Sequence, residues 1–391
     1  MHKGKYVFSQ VLALINRYEF DKCVNRYNGN KGVRNFTCWN QFVHMFFGQL
    51  TSRNGLRDIT TCLEAHSDKL YHLGIPKKVH FSTLSRANEQ RNWLIFSDFG
   101  HYLIGLVKPL FEGEKIDDNL PDDLSILALD STTLSTSIKL CSWALGKYSK
   151  GAVKVHTLLD LKGHIPVFIH ITDGKYHDVN ALDEITFTKN SIYVMDKAYI
   201  DFKRLFDVNK TGAFYVVRAK TNLNFKAIKS SKLEKKDEIK CDQHIKLLGI
   251  KTKNLYPQKI RRIKYYDSEK QTTFVFITNN FDLTALEISN IYKSRWQIEI
   301  FFKWVKQNLQ VKTLWGYSEN AVKTHIWIAI STYLIVAFLK KETKSHLSIY
   351  EITQILGIST FDKTPVKQLL NKIKNKNDVN ELYNLFNIND L

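Results

Sequence analysis

The 391 residues exceed one typical domain, so we expect two or three domains and exclude a mini-protein. Lysine and arginine outnumber aspartate and glutamate by 57 to 38, which favours a polyanionic partner such as nucleic acid, although a basic protein without one stays an alternative. The five cysteines are odd in number and contain no C-x2-C pair, so they indicate neither a disulfide framework nor a zinc site.

The start of the chain lacks the apolar stretch and small-residue cleavage site of a signal peptide. The most apolar run, Ile326 to Leu339, spans 14 residues and ends in two lysines. That length predicts a buried helix and not a membrane span. We therefore expect a cytoplasmic protein with no membrane partner.

Residues 1 to about 115 show helical periodicity and predict a helical domain, with a core helix from Trp39 to Leu50. Residues 81–91 begin with a Ser/Thr cap and carry a set of long polar side chains, namely Arg86, Asn88 and Arg91. A recognition helix in the major groove of DNA needs side chains of this kind. An ordinary capped helix with solvated charges explains the same segment.

Residues 112–123 are polar and turn-rich and predict a linker, after which the pattern changes. Alternating and apolar runs now predict short strands separated by helices. The expected strands are 125–130, 153–160, 165–171, 191–196 and 213–218, and the expected helices lie near 179–185 and 201–209. The first strand should end on Asp130 and the fourth on Asp196.

Three meander strands followed by helix, strand, helix and strand is the order of an RNase H-like sheet. We expect an α/β fold with a mixed sheet flanked by helices. Ligands gather where strands of open α/β sheets end, so Asp130 and Asp196 could face one another there. An aspartate at a strand end is also a common turn or cap residue.

The stretch from about 220 to 278 is rich in lysine and predicts further strands at 259–266 and 271–277. It separates Asp196 from the next acidic candidate by more than a simple crossover would need. Its basic and aromatic side chains could track a DNA backbone and stack on an unpaired base. Solvated sheet edges protected by lysine are the alternative.

Residues 292–306 predict a helix with a polar stripe beside an apolar one. The stripe contains Tyr292, Arg295, Glu299 and Lys306. A carboxylate flanked by cations suits a metal site at which the cations hold a phosphate. A surface helix with an Arg/Glu pair would show the same pattern.

This Tyr-x2-Arg-x3-Glu-x6-Lys spacing resembles the motif of the insertion-sequence-four family of bacterial DDE transposases, most strongly over residues 125–320. The resemblance implies a catalytic, metal-binding triad of Asp130, Asp196 and Glu299. A second family motif, Asp-Arg-Gly-Tyr, stands here as Asp196-Lys197-Ala198-Tyr199. The aspartate and tyrosine match, whereas Lys197 departs from the usual arginine, so its role beside the phosphates is less certain.

The resemblance also implies the organisation of the protein. It gives a helical DNA-binding domain at 1–115, an RNase H-like catalytic domain at 124–322 with a β-rich insertion at about 220–278, and a helical carboxy-terminal region at 323–391. Phosphates would be held by Tyr292, Arg295, Lys306 and Lys197, and the terminal repeat by Arg86, Asn88 and Arg91.

For the reaction, the resemblance implies two Mg²⁺ ions, for which Mn²⁺ substitutes, and in-line displacement at phosphodiesters. The enzyme would bind the terminal inverted repeats of its element in double-stranded DNA, nick the ends, and let the freed 3′-OH attack target DNA. A homodimer in a synaptic complex on the bacterial nucleoid is expected. The alternatives are a metal-dependent nuclease that does not join strands, and a non-catalytic DNA-binding protein with a degenerate RNase H-like domain.

Overall fold

The computed structural model describes residues 4–75, 77–116, 118, 120–137, 139, 141–146, 151–231, 238–311 and 313–371. The chain divides into two compact units. The first comprises Met1–Leu110 and Trp304–Leu391, and the second is Phe111–Lys303. Parts of the predicted linker (117 and 119), insertion (232–237) and carboxy-terminal region (372–391) lie outside the described residues.

The helices of the described chain fall in both units. They are α1 (Val7–Leu12), α2 (Arg17–Arg26), α3 (Cys38–Leu50), α4 (Leu56–Ala65), α5 (Phe81–Gln90), α6 (Leu94–Val107), α7 (Phe202–Lys210), α8 (Thr252–Leu255), α9 (Ala285–Ser294), α10 (Trp296–Asn308), α11 (Glu319–Thr343), α12 (Ile349–Ile358) and α13 (Val366–Asn371). The predicted core helix at 39–50 is therefore confirmed as α3.

Aromatic side chains form the core of the first unit around α3. Thr37 caps this helix by accepting a hydrogen bond from the backbone N–H of Asn40 at 3.2 Å. Phe42 stacks on Phe46 with ring centroids 5.8 Å apart, and Phe20 packs against Phe42 at 5.4 Å. These rings are fully buried, so the apolar face of α3 lies in the core of this unit.

The predicted apolar run at 326–339 lies inside α11, which spans 25 residues. By length and composition α11 is apolar enough to cross a membrane, as is the shorter segment Leu94–Phe111. Yet α11 is mostly buried in its own unit, where Trp327 packs on α6. A Cβ atom at Gly100 of α6 would lie 2.6 Å from the Trp327 ring, so the glycine permits this close approach. Burial within the protein thus accounts for the composition of α11.

Two buried histidines of the first unit should make its stability depend on pH. Burial lowers the pKa of His44 to about 4 and that of His325, which stacks on Trp315, to about 3. Below an unfolded pKa of about 6.5 the unfolded chain takes up protons first, so stability present at neutral pH is lost as pH falls. Each histidine should contribute a slope of about 1.4 kcal/mol per pH unit between its two pKa values.

The free energy of unfolding, measured in urea at pH 7, 6 and 5, checks this expectation. His325→Phe keeps an aromatic ring against Trp315 and removes the titrating group. Its stability should therefore fall less steeply with pH than that of the unsubstituted protein. Parallel pH profiles for the two proteins would show that His325 does not carry the effect.

The second unit is built on a mixed sheet. Its strands are β1 (Ser125–Thr136), β2 (Gly151–Asp160), β3 (Ile165–Asp173), β4 (Ser191–Met195), β5 (Phe214–Arg218), β6 (Phe225–Ser230), β7 (Ile239–Leu247), β8 (Ile260–Asp267) and β9 (Thr272–Thr278). Their order is β3-β2-β1-β4-β5-β9-β8-β7-β6. The β1/β4 and β4/β5 pairs are parallel and the other pairs antiparallel.

The first five strands have the RNase H-like order, which confirms the predicted fold class. The predicted insertion supplies β6 to β9 and joins the same sheet through β9, which pairs with β5 over only three residues. Apolar residues of α7, including Leu205 and Val208, pack in one buried cluster with Tyr193 of β4 and Tyr215 of β5. The insertion therefore extends the same sheet directly.

The first strand is longer than predicted. Instead of ending at Asp130, β1 continues to Thr136, because Ser131 to Thr136 pair with residues 151–156 of β2. The parallel pairing with β4 does stop at Leu129. Asp130 therefore marks the end of one ladder and not the end of the strand.

The helix predicted at 292–306 is interrupted at Arg295, between the end of α9 and the start of α10. The prediction of one continuous helix is therefore wrong. The Ser294 hydroxyl donates to the Ile291 carbonyl at 2.7 Å, a local bond that competes with the helical ladder. The Arg295 N–H donates to the Tyr292 carbonyl, and the Ile298 N–H donates to that of Arg295. These bonds span three residues, so the turn is tighter than in an α-helix.

Candidate active site

Asp130 and Asp196 follow the last paired residues of two neighbouring parallel strands. The final β1/β4 pair joins Leu129 to Met195, and each aspartate is the next residue along. Parallel strands lie about 4.8 Å apart. The structure therefore brings the two aspartates to the same point of the sheet, as the sequence predicted.

Glu299 is linked to Asp130 through Arg295. One guanidinium nitrogen of Arg295 donates to Asp130 Oδ2 at 2.8 Å, and the other donates to Glu299 Oε1 at 2.5 Å. We call this pair of contacts the Arg295 bridge. The Arg295 side chain is only 15% exposed, so both contacts are shielded from solvent. The sequence placed Arg295 beside Glu299 but did not reveal its contact with Asp130.

Electrostatics link the three acidic residues. Burial raises the pKa of Asp130, and the charges of Glu299 and Asp196 raise it further, whereas the Ser131 N–H and Arg295 act in the opposite direction. The pKa of Arg295 is raised because Asp130, Tyr292 and Glu299 together outweigh the effect of its burial. A group of carboxylates that repel one another in a half-buried site favours a bound cation.

A supporting network behind Asp130 was missed at the sequence level. The Ser131 N–H donates to Asp130 Oδ1 at 2.8 Å, and the Ser131 hydroxyl donates to Asp178 Oδ1 at 2.6 Å. Lys154 lies 3.2 Å from the same Asp178 oxygen. Asp178 thereby fixes the backbone next to Asp130. The one available signal was that Asp178 directly precedes the helix predicted near 179–185.

The buried hydroxyl group of Tyr199 belongs to the same surroundings. Tyr199 is 1% exposed, and burial raises its pKa well above the usual value, with the charges of Asp130 and Asp178 adding to the shift. The matching tyrosine of the Asp196-Lys197-Ala198-Tyr199 motif thus remains neutral beside the acidic residues. Lys197 is exposed and begins a 3-10 helix of three residues that ends at Tyr199.

A pocket of about 290 Å³ opens beside Asp196 and Glu299. Aromatic rings and cations line it: Arg218, Tyr265, Lys270, Phe274, Phe276, Tyr292, Lys293, Arg295 and Trp296, with Asp267. Tyr292 is 9% exposed and packs against Phe276 with ring centroids 4.5 Å apart. The insertion strands β8 and β9 therefore contribute directly to the surroundings of the acidic residues.

Lys306 lies on α10, seven residues after Glu299, in the part of the helix assigned to the first unit. Its side chain is half-buried. The predicted contact of Lys306 with a phosphate stays a prediction, because no DNA is present.

Of the three residues in the segment 81–91 that were predicted to contact DNA, two have structural roles instead. Asn88 is 1% exposed and accepts a hydrogen bond from the Gln41 side chain at 2.7 Å. The Arg91 guanidinium donates to the Thr37 carbonyl at 2.9 Å and also contacts the Phe36 carbonyl. These side chains are held by α3 and the residues before it, so the structure corrects their assignment to base contacts. Arg86 is exposed.

The acidic residues fit a divalent cation. Carboxylate oxygens are the ligands that Mg²⁺ and Mn²⁺ prefer, and Arg295 already provides a cationic group between Asp130 and Glu299. Among the described residues, no three acidic, histidine or cysteine side chains form a ready-made metal cluster. In this structure the Arg295 guanidinium takes up one oxygen of Asp130 and one of Glu299.

An RNase H-like sheet with acidic side chains at the end of its central parallel pair is typical of enzymes that cut or join nucleic acid strands. Residues 121–335 match the family model described as the transposase DDE domain. The chain belongs to the DDE transposases, in the insertion-sequence-four family, and is a DNA transposase. This family generally uses divalent metal ions. Residues 3–76 match a domain of unknown function, DUF4372.

Two relatives have names that agree with this family. One, from Synechocystis, is named as a transposase for insertion sequence element IS4SA and is 30% identical over 67% of this chain and 72% of its own length. Another, from Geobacillus stearothermophilus, is named as a transposase for insertion sequence element IS5377 and is 26% identical over 71% of each chain.

The fold also resembles that of a solved transposase. The piggyBac transposase, in the structure of its synaptic complex with hairpin DNA, aligns with a TM-score of 0.50 over 98% of this chain and 85% of its own. The two sequences are 10% identical. At this identity the likeness concerns the fold alone.

Proposed function

We propose that this transposase cuts the ends of its insertion sequence, and joins them to target DNA, at a site made by Asp130, Asp196 and Glu299. The observation that supports this most directly is the shared end of the β1/β4 ladder, at which both aspartates stand and to which Arg295 connects Glu299. The proposal includes binding of the terminal inverted repeats and a requirement for two Mg²⁺ ions.

Bound metal ions would activate the attacking oxygen and stabilise the leaving oxygen of an in-line displacement. Asp130, Asp196 and Glu299 would hold these ions. Asp178 and Ser131 would keep the Asp130 carboxylate oriented, because the Ser131 N–H holds one of its oxygens.

The cationic residues near the triad are proposed to hold phosphates. Arg295 offers a bidentate guanidinium, whereas Lys306 and Lys197 offer point charges. Tyr292 contributes a neutral hydroxyl, because burial raises its pKa. None of the cations is a metal ligand, since each has the metal's own sign of charge.

The pocket beside the triad is proposed to receive a nucleotide next to the cleaved bond. The Arg218 guanidinium lies 5.1 Å from the Phe274 ring centre, and the Lys270 ammonium lies 6.0 Å from that of Trp296. Alternating cations and rings suit a phosphate and an unpaired base together. The insertion would thus hold DNA at the site of reaction.

Strand joining separates a transposase from a nuclease that only cuts. The purified chain should convert a pre-cleaved duplex ending in the element's terminal repeat, mixed with plasmid and Mg²⁺, into covalently joined products. The repeat sequence comes from the DNA that flanks the gene. Cleavage of uncut ends without any joined product from pre-cleaved ends would favour the nuclease instead.

The amino-terminal helices are proposed to recognise the terminal repeat through exposed cations such as Arg86. Arg86→Gln in the full-length protein should weaken repeat binding by about five- to tenfold at low salt, and less as salt rises. The full chain is used because α11 packs on α6. Residues 1–115 alone lack α11 and would expose the surface of α6 that α11 buries. Binding is measured by fluorescence anisotropy across a salt series.

Two controls accompany this measurement. Glu89→Gln, at the neighbouring exposed position of α5, should not weaken binding. Equal affinity of the unsubstituted protein for repeat and scrambled duplexes would contradict end recognition.

Self-association on DNA is part of the proposal. One triad lies within one chain, and an element has two ends, so a homodimer in a synaptic complex would let each protomer cleave one end. The expected assembly contains two protomers and two ends, and light scattering of the complex measures it.

A further inference from the structure

We propose that Arg295 is a built-in competitor of the metal ions, and that an incoming DNA phosphate removes it. The inference rests on the proposed function, because it concerns metal loading of the same triad. It assigns to Arg295 two alternative partners: the carboxylates of Asp130 and Glu299 in the free protein, and a phosphate in the complex.

The Arg295 bridge uses the oxygens that a metal ion would need. The guanidinium contacts Asp130 Oδ2 at 2.8 Å and Glu299 Oε1 at 2.5 Å. A second cation cannot approach the same oxygens while the guanidinium lies between them, because the charges repel and the space is filled. Arginine stays protonated throughout the physiological range, so the competition cannot be relieved by deprotonation.

The bridge is also incompletely satisfied. The Nε atom of Arg295 is buried and has no hydrogen-bond partner among the described residues. A buried donor without a partner costs free energy, so the bridge is less stable than an arrangement in which every guanidinium donor is paired. A phosphate, with several acceptor oxygens, can satisfy more of the five guanidinium donors.

The Arg295 side chain can move away from the two carboxylates into the pocket described above. Arg295 lines this pocket together with Asp196 and Glu299, and its guanidinium carbon lies 5.8 Å from the Tyr292 ring centre. The pocket already holds the cations Arg218, Lys270 and Lys293. A phosphate attracted there would meet Arg295 at the same place and compete for its guanidinium.

The consequence is reciprocal coupling between metal and DNA. If phosphate binding draws Arg295 from the carboxylates, it must raise metal affinity, and metal binding must raise DNA affinity by the same factor. The free enzyme would then remain poorly loaded with metal, and the triad would become competent only on its substrate.

The experiment measures Mn²⁺ binding directly, from the electron paramagnetic resonance signal of free Mn²⁺, and requires no turnover. Without DNA, Arg295→Gln should bind Mn²⁺ about ten- to a hundredfold more tightly than the unsubstituted protein. A pre-cleaved terminal-repeat duplex should tighten Mn²⁺ binding to the unsubstituted protein by at least about tenfold and leave Arg295→Gln nearly unchanged. Unchanged or weaker Mn²⁺ binding by DNA-free Arg295→Gln would overturn the proposal.

Arg218→Gln is the matched control, because it removes the same group from the same pocket at a position where it lies over the Phe274 ring. Its Mn²⁺ affinity without DNA should change less than about threefold. An equal gain in both variants would mean that general charge repulsion, and not the bridge, limits metal binding. Should Arg295→Gln fail to fold, Arg295→Lys serves instead and should bind Mn²⁺ more tightly than the unsubstituted protein, because one ammonium cannot span both carboxylates.

A further variant separates this proposal from the proposed function. Asp130→Asn combined with Arg295→Gln should lose the tight Mn²⁺ binding. Tight binding that survives in the double variant would place the metal elsewhere and refute the triad itself. Triad-dependent binding that does not respond to Arg295 would refute only the competition.

Discussion

Alanine at Asp130, Asp196 or Glu299 should abolish cleavage while leaving DNA binding largely intact. Each substitution removes a carboxylate that holds metal charge at the reacting phosphate, and metal stabilisation of the transition state is worth several kcal/mol. We therefore expect losses of at least about a thousandfold in cleavage rate. Cleavage of labelled terminal-repeat duplexes under single-turnover conditions measures the effect, and gel retention measures binding.

The matched control is Asp207→Ala, which removes a carboxylate of the same unit from an exposed ion pair with Lys210. It should retain full activity. Cleavage that survives in any one of the three substituted proteins would remove that residue from the triad.

Asp242→Ala should strongly destabilise the insertion strands. Asp242 on β7 accepts two hydrogen bonds from Arg261 on β8, both at 2.8 Å, and the two side chains are 10% and 7% exposed. Removing the carboxylate leaves a buried guanidinium without its counter-charge, which typically costs about 3–5 kcal/mol. Hydrogen exchange of the β7 and β8 amides should therefore accelerate sharply.

Two comparisons test the reason for that effect. Asp21→Ala breaks an exposed ion pair with Arg17 and should cost less than about 1 kcal/mol. Replacing both members, as Asp242→Leu with Arg261→Met, should recover part of the lost stability, since no buried charge remains. A double variant as unstable as Asp242→Ala would show that the charge is not the cause. Arg261 also contacts the Leu283 carbonyl just before α9, so this pair steadies the segment that leads to Arg295.

Strand positions followed from apolar alternation, but strand lengths did not. The pattern ended β1 at Asp130 because the next residues, Ser131 to Thr133, are polar. Ser131 and Thr132 are half-buried and Thr133 is exposed. Their pairing with β2 depends on the register of a partner some twenty residues away, which periodicity does not encode. The position of the two aspartates was nevertheless predictable, because it depends on where the β4 ladder stops.

The helix break at Arg295 had a local cause that the apolar pattern concealed. Ser294 has a hydroxyl group that can bond to a preceding carbonyl, and this side chain was visible in the sequence. The prediction that Asn88 contacts DNA is wrong for the opposite reason. The local pattern places this polar residue on the solvent side of an amphipathic helix, but its hydrogen-bond partner, Gln41, lies 47 positions earlier in the chain.

The candidate site was predictable in its acidic residues and not in their connections. The strand ends and the family motif point to Asp130, Asp196 and Glu299 without any structure. The contact between Arg295 and Asp130 joins residues 165 positions apart, and that between Ser131 and Asp178 joins residues 47 apart. Such contacts arise from tertiary packing, for which a single sequence carries no local signal.

The placement of β6 to β9 between Asp196 and Glu299 also determines how long after Asp196 the ribosome adds Glu299. A ribosome that has incorporated Asp196 must add 102 further residues before Glu299, which takes roughly 5 to 20 s at ordinary elongation rates. During that interval the nascent chain can pair β1 with β4 and yet lacks its third acidic residue. Premature termination within the insertion would therefore yield fragments that contain the two aspartates of the proposed triad and lack its glutamate.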